Sequence, residues 1–255
     1  MLKIRCSSLG KIMTGTIGLT DAQQKELDGY YKRTKPLTDR MKARKAELED
    51  KRDNIELSTT TLSYLAELEV EQRTGRSREI YTSAMEKGTL QEDQAIELLC
   101  QYTGEFYLKN EEPYENKWIT GTPDIVHDIV RDTKCSWNLF TFPHEWSYTL
   151  NKDYYWQLQG YMDLTGLEKA SLDYVLVNTP DHIIEKEKSK IMWMDPADYD
   201  QAVEKIYLMH TFDDIPLEER IFSVEVERND EDIKAIHKRV EMCREVWEQK
   251  VKVAA

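Results

Sequence analysis

Residues 121 to 137 read GTPDIVHDIVRDTKCSW, and no other stretch limits the possible folds as tightly. The β-branched residues Ile125, Val126, Ile129 and Val130 are those of a buried strand. Yet the same run carries Asp124, Asp132 and Lys134. Side chains alternate along a strand, so Asp132 and Lys134 share one face. Charge on a core strand is costly unless it is paired or holds a metal ion. The chain must therefore fold so that these charges meet partners.

With 255 residues the chain is long enough for one large domain with a proper core. No run approaches the eighteen or so apolar residues of a membrane span, and MLKIRCSSLG lacks the apolar stretch of a signal peptide. Cys6, Cys100, Cys135 and Cys243 form no CxxC pair, which argues against a zinc site and for reduced thiols in a cytoplasm. The net charge of −13 does not advertise nucleic-acid binding, though a local basic surface matters more than the total. Basic residues cluster at Lys32, Arg33, Lys35, Arg40, Lys42, Arg44, Lys45, Lys51 and Arg52, and again at Arg73, Arg76 and Arg78. The plainer explanation of these clusters is a solvated helix face laced with Lys–Glu pairs.

Residues 36–57 have a sparse apolar line (Leu37, Met41, Leu48, Ile55) that predicts a projecting helix within a charged insertion spanning about 20–57. A second helix over 59–73 is opened by threonines and stops near Gly75; a third covers 83–102. Strands follow over 105–137, with turns at Gly121 and Asp128. A helix over 153–165 ends at Gly166, and SLDYVLVN (171–178), apolar on both faces, is a central strand. IIEKEKSKIMWM (183–194) is expected to add a strand, and Asp195-Pro196 to open a helix reaching His210. Phe222, Val224 and Val226 alternate as a half-buried strand, and Ile233, Ile236, Val240, Cys243 and Trp247 form one stripe of a last helix. This order predicts a single mixed α/β domain over 1–255.

In MEKGTLQEDQAIELL, Glu92 falls in line with Met85, Gly88, Ala95, Ile96 and Leu99, on the core-facing stripe of its helix, while Asp93 and Glu97 point to water. The alternative is an ion pair with a neighbouring arginine. Carboxylates grouped without His or Cys favour a hard cation such as Mg²⁺, with Mn²⁺ as a substitute. A metal-bound water is more acidic, and a lysine beside it orients that water or neutralises a phosphate. Glu92, Asp124, Asp132 and Lys134 together suit the hydrolysis of a phosphodiester.

The order Pro123-Asp124 followed by Asp132-Thr133-Lys134 resembles the PD-(D/E)xK nuclease superfamily. GTLQE, with Gly88 and Glu92, is similar to the GxxxE helix of its lambda-exonuclease and YqaJ-like branch, a family of phage recombination exonucleases. WQLQGYMDLTG, with Gln157 and Tyr161, is similar to the QxxxY helix of that branch, and RCSSLGKIMTG, with Arg5 and Ser8, to its opening serine motif near the DNA end. The second acid is Asp132 where the branch more often has glutamate. The motifs cover roughly residues 1 to 180, leaving a strand and helix at about 212–251 outside the recognisable core.

The resemblance implies a restriction-endonuclease-like core, a central mixed sheet flanked by helices. It implies metal binding by Asp124, Asp132, the Thr133 carbonyl and Glu92, with Lys134 positioning the nucleophile. Gln157, Tyr161, Ser8 and Arg5 would then support the site or bind phosphate. The expected substrate is a double-stranded DNA end, the expected partners a single-strand annealing protein and two further copies in a trimeric ring. A restriction-type endonuclease is the alternative enzyme, and a nuclease fold kept only for interactions the non-enzymatic one. An iron–sulfur nuclease would need clustered late cysteines, and only Cys243 lies late.

Overall fold

A computed structural model describes residues 1–15, 18–53, 56–78 and 81–254. The chain runs β1 (Ile4–Arg5), a 3₁₀ turn (Cys6–Ser8), α1 (Leu9–Ile12), α2 (Asp21–Lys32), α3 (Asp39–Asp53), α4 (Thr59–Thr74) and α5 (Ser83–Thr103). Four short strands follow: β2 (Tyr114–Glu115), β3 (Ile119–Gly121), β4 (Ile125–Val126) and β5 (Val130–Cys135). The remainder is α6 (Lys152–Thr165), β6 (Lys169–Val175), α7 (Asp181–Ser189), α8 (Pro196–His210), β7 (Ile221–Glu227) and α9 (Asp230–Ala254).

The strands form two sheets, β1-β3-β2 and β4-β5-β6-β7, both mixed. β5 and β6 are parallel, so a crossover must join them, and α6 is that crossover. Asn151 caps its start by accepting from Asp153 N at 2.8 Å. Gly166, at φ 76°, ends it in a left-handed turn that favours glycine. On the α6 side of the sheet, Leu172 and Ala170 join Leu158, Met162, Ile236 and Val240 in the main core. On the other side α5 sets Ala95, Ile96 and Leu99 against Ile125, Val175 and Val177. β5 is thus held between two helices, with its alternate side chains facing each.

Residues 212–251, which no motif marks, supply β7, paired along the whole of β6, and α9, whose Ile236, Val240 and Cys243 enter the main core. The charged insertion is a helical hairpin, α2 and α3, with Leu27 and Leu48 as its buried leucines; Ile55 of the predicted apolar line lies outside the described residues.

Several expectations are corrected. Residues 183–194 contain no strand: α7 covers the first part, its Lys188 and Glu185 pairing at 2.7 Å across one turn. Ile183 and Ile184 are both buried, as neighbours on a helix edge are and alternating strand positions are not. Ser58, rather than a threonine, caps α4 by accepting from Thr61 N. Met85 is 52% exposed, so the core-facing stripe of α5 begins a turn later than expected. Gly121 is not a turn but the end of β3, where an added Cβ would come within 2.8 Å of the Tyr161 ring and 3.0 Å of Cys6 Sγ.

Candidate active site

β5 presents Asp132 and Lys134 to α6, and the Lys134 ammonium rests against Asp132 Oδ2. Asp132 is only 2% exposed. Its Oδ1 accepts a hydrogen bond from Gln157 Nε2 at 2.9 Å. The same amide nitrogen donates to the Tyr161 hydroxyl at 2.9 Å, and that hydroxyl donates to the Thr122 carbonyl at 3.3 Å. Gln157 and Tyr161 act together because four residues make about one helical turn. Oδ2 has only the Lys134 ammonium against it.

Burial pushes the Asp132 carboxyl up; Lys134 draws it back and Asp124 raises it again, leaving it at about 6. Burial also disfavours charge on Lys134, but Asp132 and Asp124 outweigh it and hold the ammonium above the ordinary lysine value. The Lys134 ammonium lies 5.4 Å from the centre of the Tyr154 ring.

Asp124 reaches the other side of the same strand. Its Oδ2 accepts from Thr133 N at 2.6 Å and from Thr133 Oγ1 at 2.9 Å. The N–H and C=O of one strand residue point to the same edge, and β4 stops pairing with β5 at Arg131. The Thr133 carbonyl therefore looks out beside Asp124. Glu92 approaches from α5, half-buried, and its carboxyl is raised first by burial and then by Asp124. It also meets Lys109, whose ammonium lies 3.3 Å from Glu92 Oε1 and 2.7 Å from Asp93. The ion pair weighed for Glu92 thus exists, with a lysine in place of an arginine.

The structure brings Asp124, Asp132, Thr133, Lys134, Gln157 and Tyr161 into one connected group, with Glu92 at its border. Among the described residues no three His, Cys, Asp or Glu side chains form a ready-made metal cage. The donors nevertheless suit a hard cation that keeps several waters: all are oxygens, and the buried Asp132 Oδ2 faces only a cation, the Lys134 ammonium. Arg5 and Ser8 stand apart, in a groove of about 700 Å³ that Lys11, Arg76 and Arg78 also line. They connect to the site through β1, whose Arg5 is paired with Thr120, two residues before Thr122.

Two lysines of this region escape sequence reasoning. Lys109 carries no motif. Lys87 is fully buried and donates to the carbonyls of Ser136 at 2.9 Å and Trp137 at 3.1 Å, fastening α5 to the chain just beyond Lys134. Burial lowers its pKa to about 8.

No family model matches the chain, and no curated protein matches it. Solved structures do. A phage-related exonuclease from Haemophilus somnus is 28% identical with a TM-score of 0.69, over 100% of this chain and 97% of that one. An alkaline exonuclease from Laribacter hongkongensis shares the fold at 16% identity and a TM-score of 0.57, over 99% and 91% of the two chains. Its complex with dAMP gives 17% and 0.56 over the same shares. The likeness extends through residues 212–251, beyond the reach of the motifs. In fold, and over essentially its whole length, the chain is similar to these phage-related and alkaline exonucleases.

Proposed function

We propose that the protein is a divalent-metal-dependent exonuclease that hydrolyses phosphodiester bonds from the ends of linear duplex DNA. One observation carries this reading: a buried carboxylate, Asp132, fixed on one oxygen by Gln157 and flanked on the other by Lys134, with Asp124 hydrogen-bonded to the next residue of the strand, Thr133. A structural ion pair has no need of a second acid at its edge.

Asp124, Asp132 and the Thr133 carbonyl would hold Mg²⁺, with Glu92 reaching a second ion or its water. When bound, the metal supplies positive charge for the scissile phosphate and acidifies a water. The protein's own part is positional. Gln157 and Tyr161 hold Asp132 in one rotamer, and Thr133 holds Asp124. Lys134 can turn from Asp132 towards a water or a phosphate oxygen and steady the charge that develops there. Arg5, Ser8 and Lys11 line a groove suited to phosphate near the DNA end.

With a net charge of −13, a monomer repels DNA unless basic faces are gathered together. A homotrimeric ring threaded by the DNA end would do so, working in the cytoplasm beside a single-strand annealing protein. Among the described residues no helix is long and apolar enough to cross a membrane.

The test uses the purified protein with linear and covalently closed duplex, with Mg²⁺ and with a chelator. Metal-dependent loss of the linear form only, and light scattering at three times the 30.1 kDa chain mass, support the reading. Efficient cutting of closed circles by a monomer would replace it with an endonuclease.

A further inference from the structure

The hairpin of α2 and α3 carries its charge unevenly. Along the stem, Arg44, Lys45 and Arg52 are matched by acids. Arg44 meets Glu26 at 3.2 Å and Glu47 at 3.0 Å, Lys45 meets Glu49 at 3.5 Å, and Arg52 meets Asp53 at 2.6 Å. Towards the turn the matching stops. Lys32, Arg33, Lys35 and Arg40 are exposed and make no ion pair among the described residues. Asp39, the acid beside them in sequence, is already bound to Lys42 at 3.0 Å. The stem is therefore nearly neutral and the tip strongly positive.

The stem is also built as a lever. The helices are tied by the Tyr31 hydroxyl, which donates to Glu49 at 2.6 Å and accepts from Arg52 at 3.1 Å. At the base, Thr20, Gln24 and Lys51 line a cavity against Glu231, Asp232 and Lys234 of α9. Twelve helical residues, the length of α2, span about 18 Å at 1.5 Å per residue. That exceeds the screening length of about 8 Å at physiological salt, so the acidic body does not cancel the field of the tip.

We propose that the tip formed by Lys32, Arg33, Lys35 and Arg40 is a clamp for the phosphate backbone of duplex DNA, gripping the duplex behind the end being digested. The proposal rests on the exonuclease reading above. Unneutralised cations held outside the field of an acidic body attract a polyanion without regard to its sequence, which suits an enzyme that must follow any duplex. Against these four exposed cations the turn sets one acid, Asp39, already paired with Lys42, a surplus of positive charge that suits a polyanion.

The test combines Lys32→Gln, Arg33→Gln, Lys35→Gln and Arg40→Gln and follows digestion of a long linear duplex across a salt series. Each phosphate contact contributes about 0.9 to the slope of log affinity against log salt. The slope should fall by about two to four, KM at physiological salt should rise about tenfold or more, and kcat should be unchanged. A stem variant, Glu47→Gln, should leave the slope as it is. If the wild type digests duplex and the tip variant shows the same slope and KM, the clamp is wrong. Lost binding to anionic vesicles or to an acidic protein, with an unchanged DNA slope, also overturns it. A wild type that neither binds nor digests duplex removes the exonuclease reading, and the clamp with it.

Discussion

Gln157 Nε2 donates at 2.9 Å both to Asp132 Oδ1 and to the Tyr161 hydroxyl, so one amide couples the acid on β5 to the tyrosine on α6. Removing it leaves a buried carboxylate oxygen without a donor, which costs about 1.5 to 3 kcal/mol for a bond to a charged group. Outer partners of metal-holding carboxylates typically matter about 10- to 100-fold in affinity or activity. Gln157→Ala should therefore lower the melting temperature and weaken Mn²⁺ binding on that scale. A calorimetric titration showing unchanged Mn²⁺ affinity would reduce Gln157 to a packing role.

Lys134 answers to both chemistry and stability. Lys134→Ala should abolish cleavage, because no other cation lies against Asp132 in the described structure. In metal-free buffer at pH 8 it also strands a buried carboxylate, at a cost of about 3 to 5 kcal/mol. Asp132 then keeps its proton to still higher pH, so the loss should shrink as the pH falls towards 5. Adding Asp132→Asn should recover most of the melting temperature without restoring activity. Full activity in the single variant would remove the lysine from the mechanism.

The Asp132 carboxyl, raised to about 6 from an ordinary 3.8, sets a direction for the wild type as well. The folded state holds this proton longer than the unfolded chain, so between those two values the group lowers stability as pH rises. A metal ion needs the ionised carboxylate, and proton and metal compete for it. Without metal, this group's contribution should decline from about pH 4 to about pH 6 and then level off. Mn²⁺ affinity should weaken about tenfold per pH unit below 6, a dependence lost in Asp132→Asn. Titrations at pH 5, 6 and 7 giving equal affinities would contradict it.

Asp132, Lys134, Gln157 and Tyr161 are legible in the sequence because each pair lies within one element, at the two-residue period of a strand or the four-residue step of a helix. What brings the two pairs together is the parallel β5–α6–β6 crossover, which motif order suggests. Lys109 and Lys87 are not legible, since their partners come from other elements and a lone lysine bears no signature. The misassigned stretch at 183–194 has a physical cause too. Alternating Glu and Lys mimic the period of a strand, yet the helix and its C-terminal cap close the pairs Lys188–Glu185 and Lys190–Glu187. The hairpin's charge sorting is partly legible, since Lys32, Arg33, Lys35 and Arg40 stand beside the single acid Asp39 in the sequence, but only the fold shows which stem cations are matched.

Glu92 separates the catalytic from the structural account of the border acid. Its pair with Lys109 is partly open to water, the two side chains being 29% and 35% exposed, so the pair contributes about 1 kcal/mol at most. Burial, and then the neighbouring Asp124, raise its carboxyl. Glu92→Gln should therefore slow cleavage by orders of magnitude while leaving the metal-free melting temperature within a few degrees. Lys109→Ala, which removes the ion pair and keeps the acid, should retain most of the activity. If instead both variants melt early and turn over normally, Glu92 serves the fold. If both lose activity together, the ion pair rather than the free carboxylate is what the site requires.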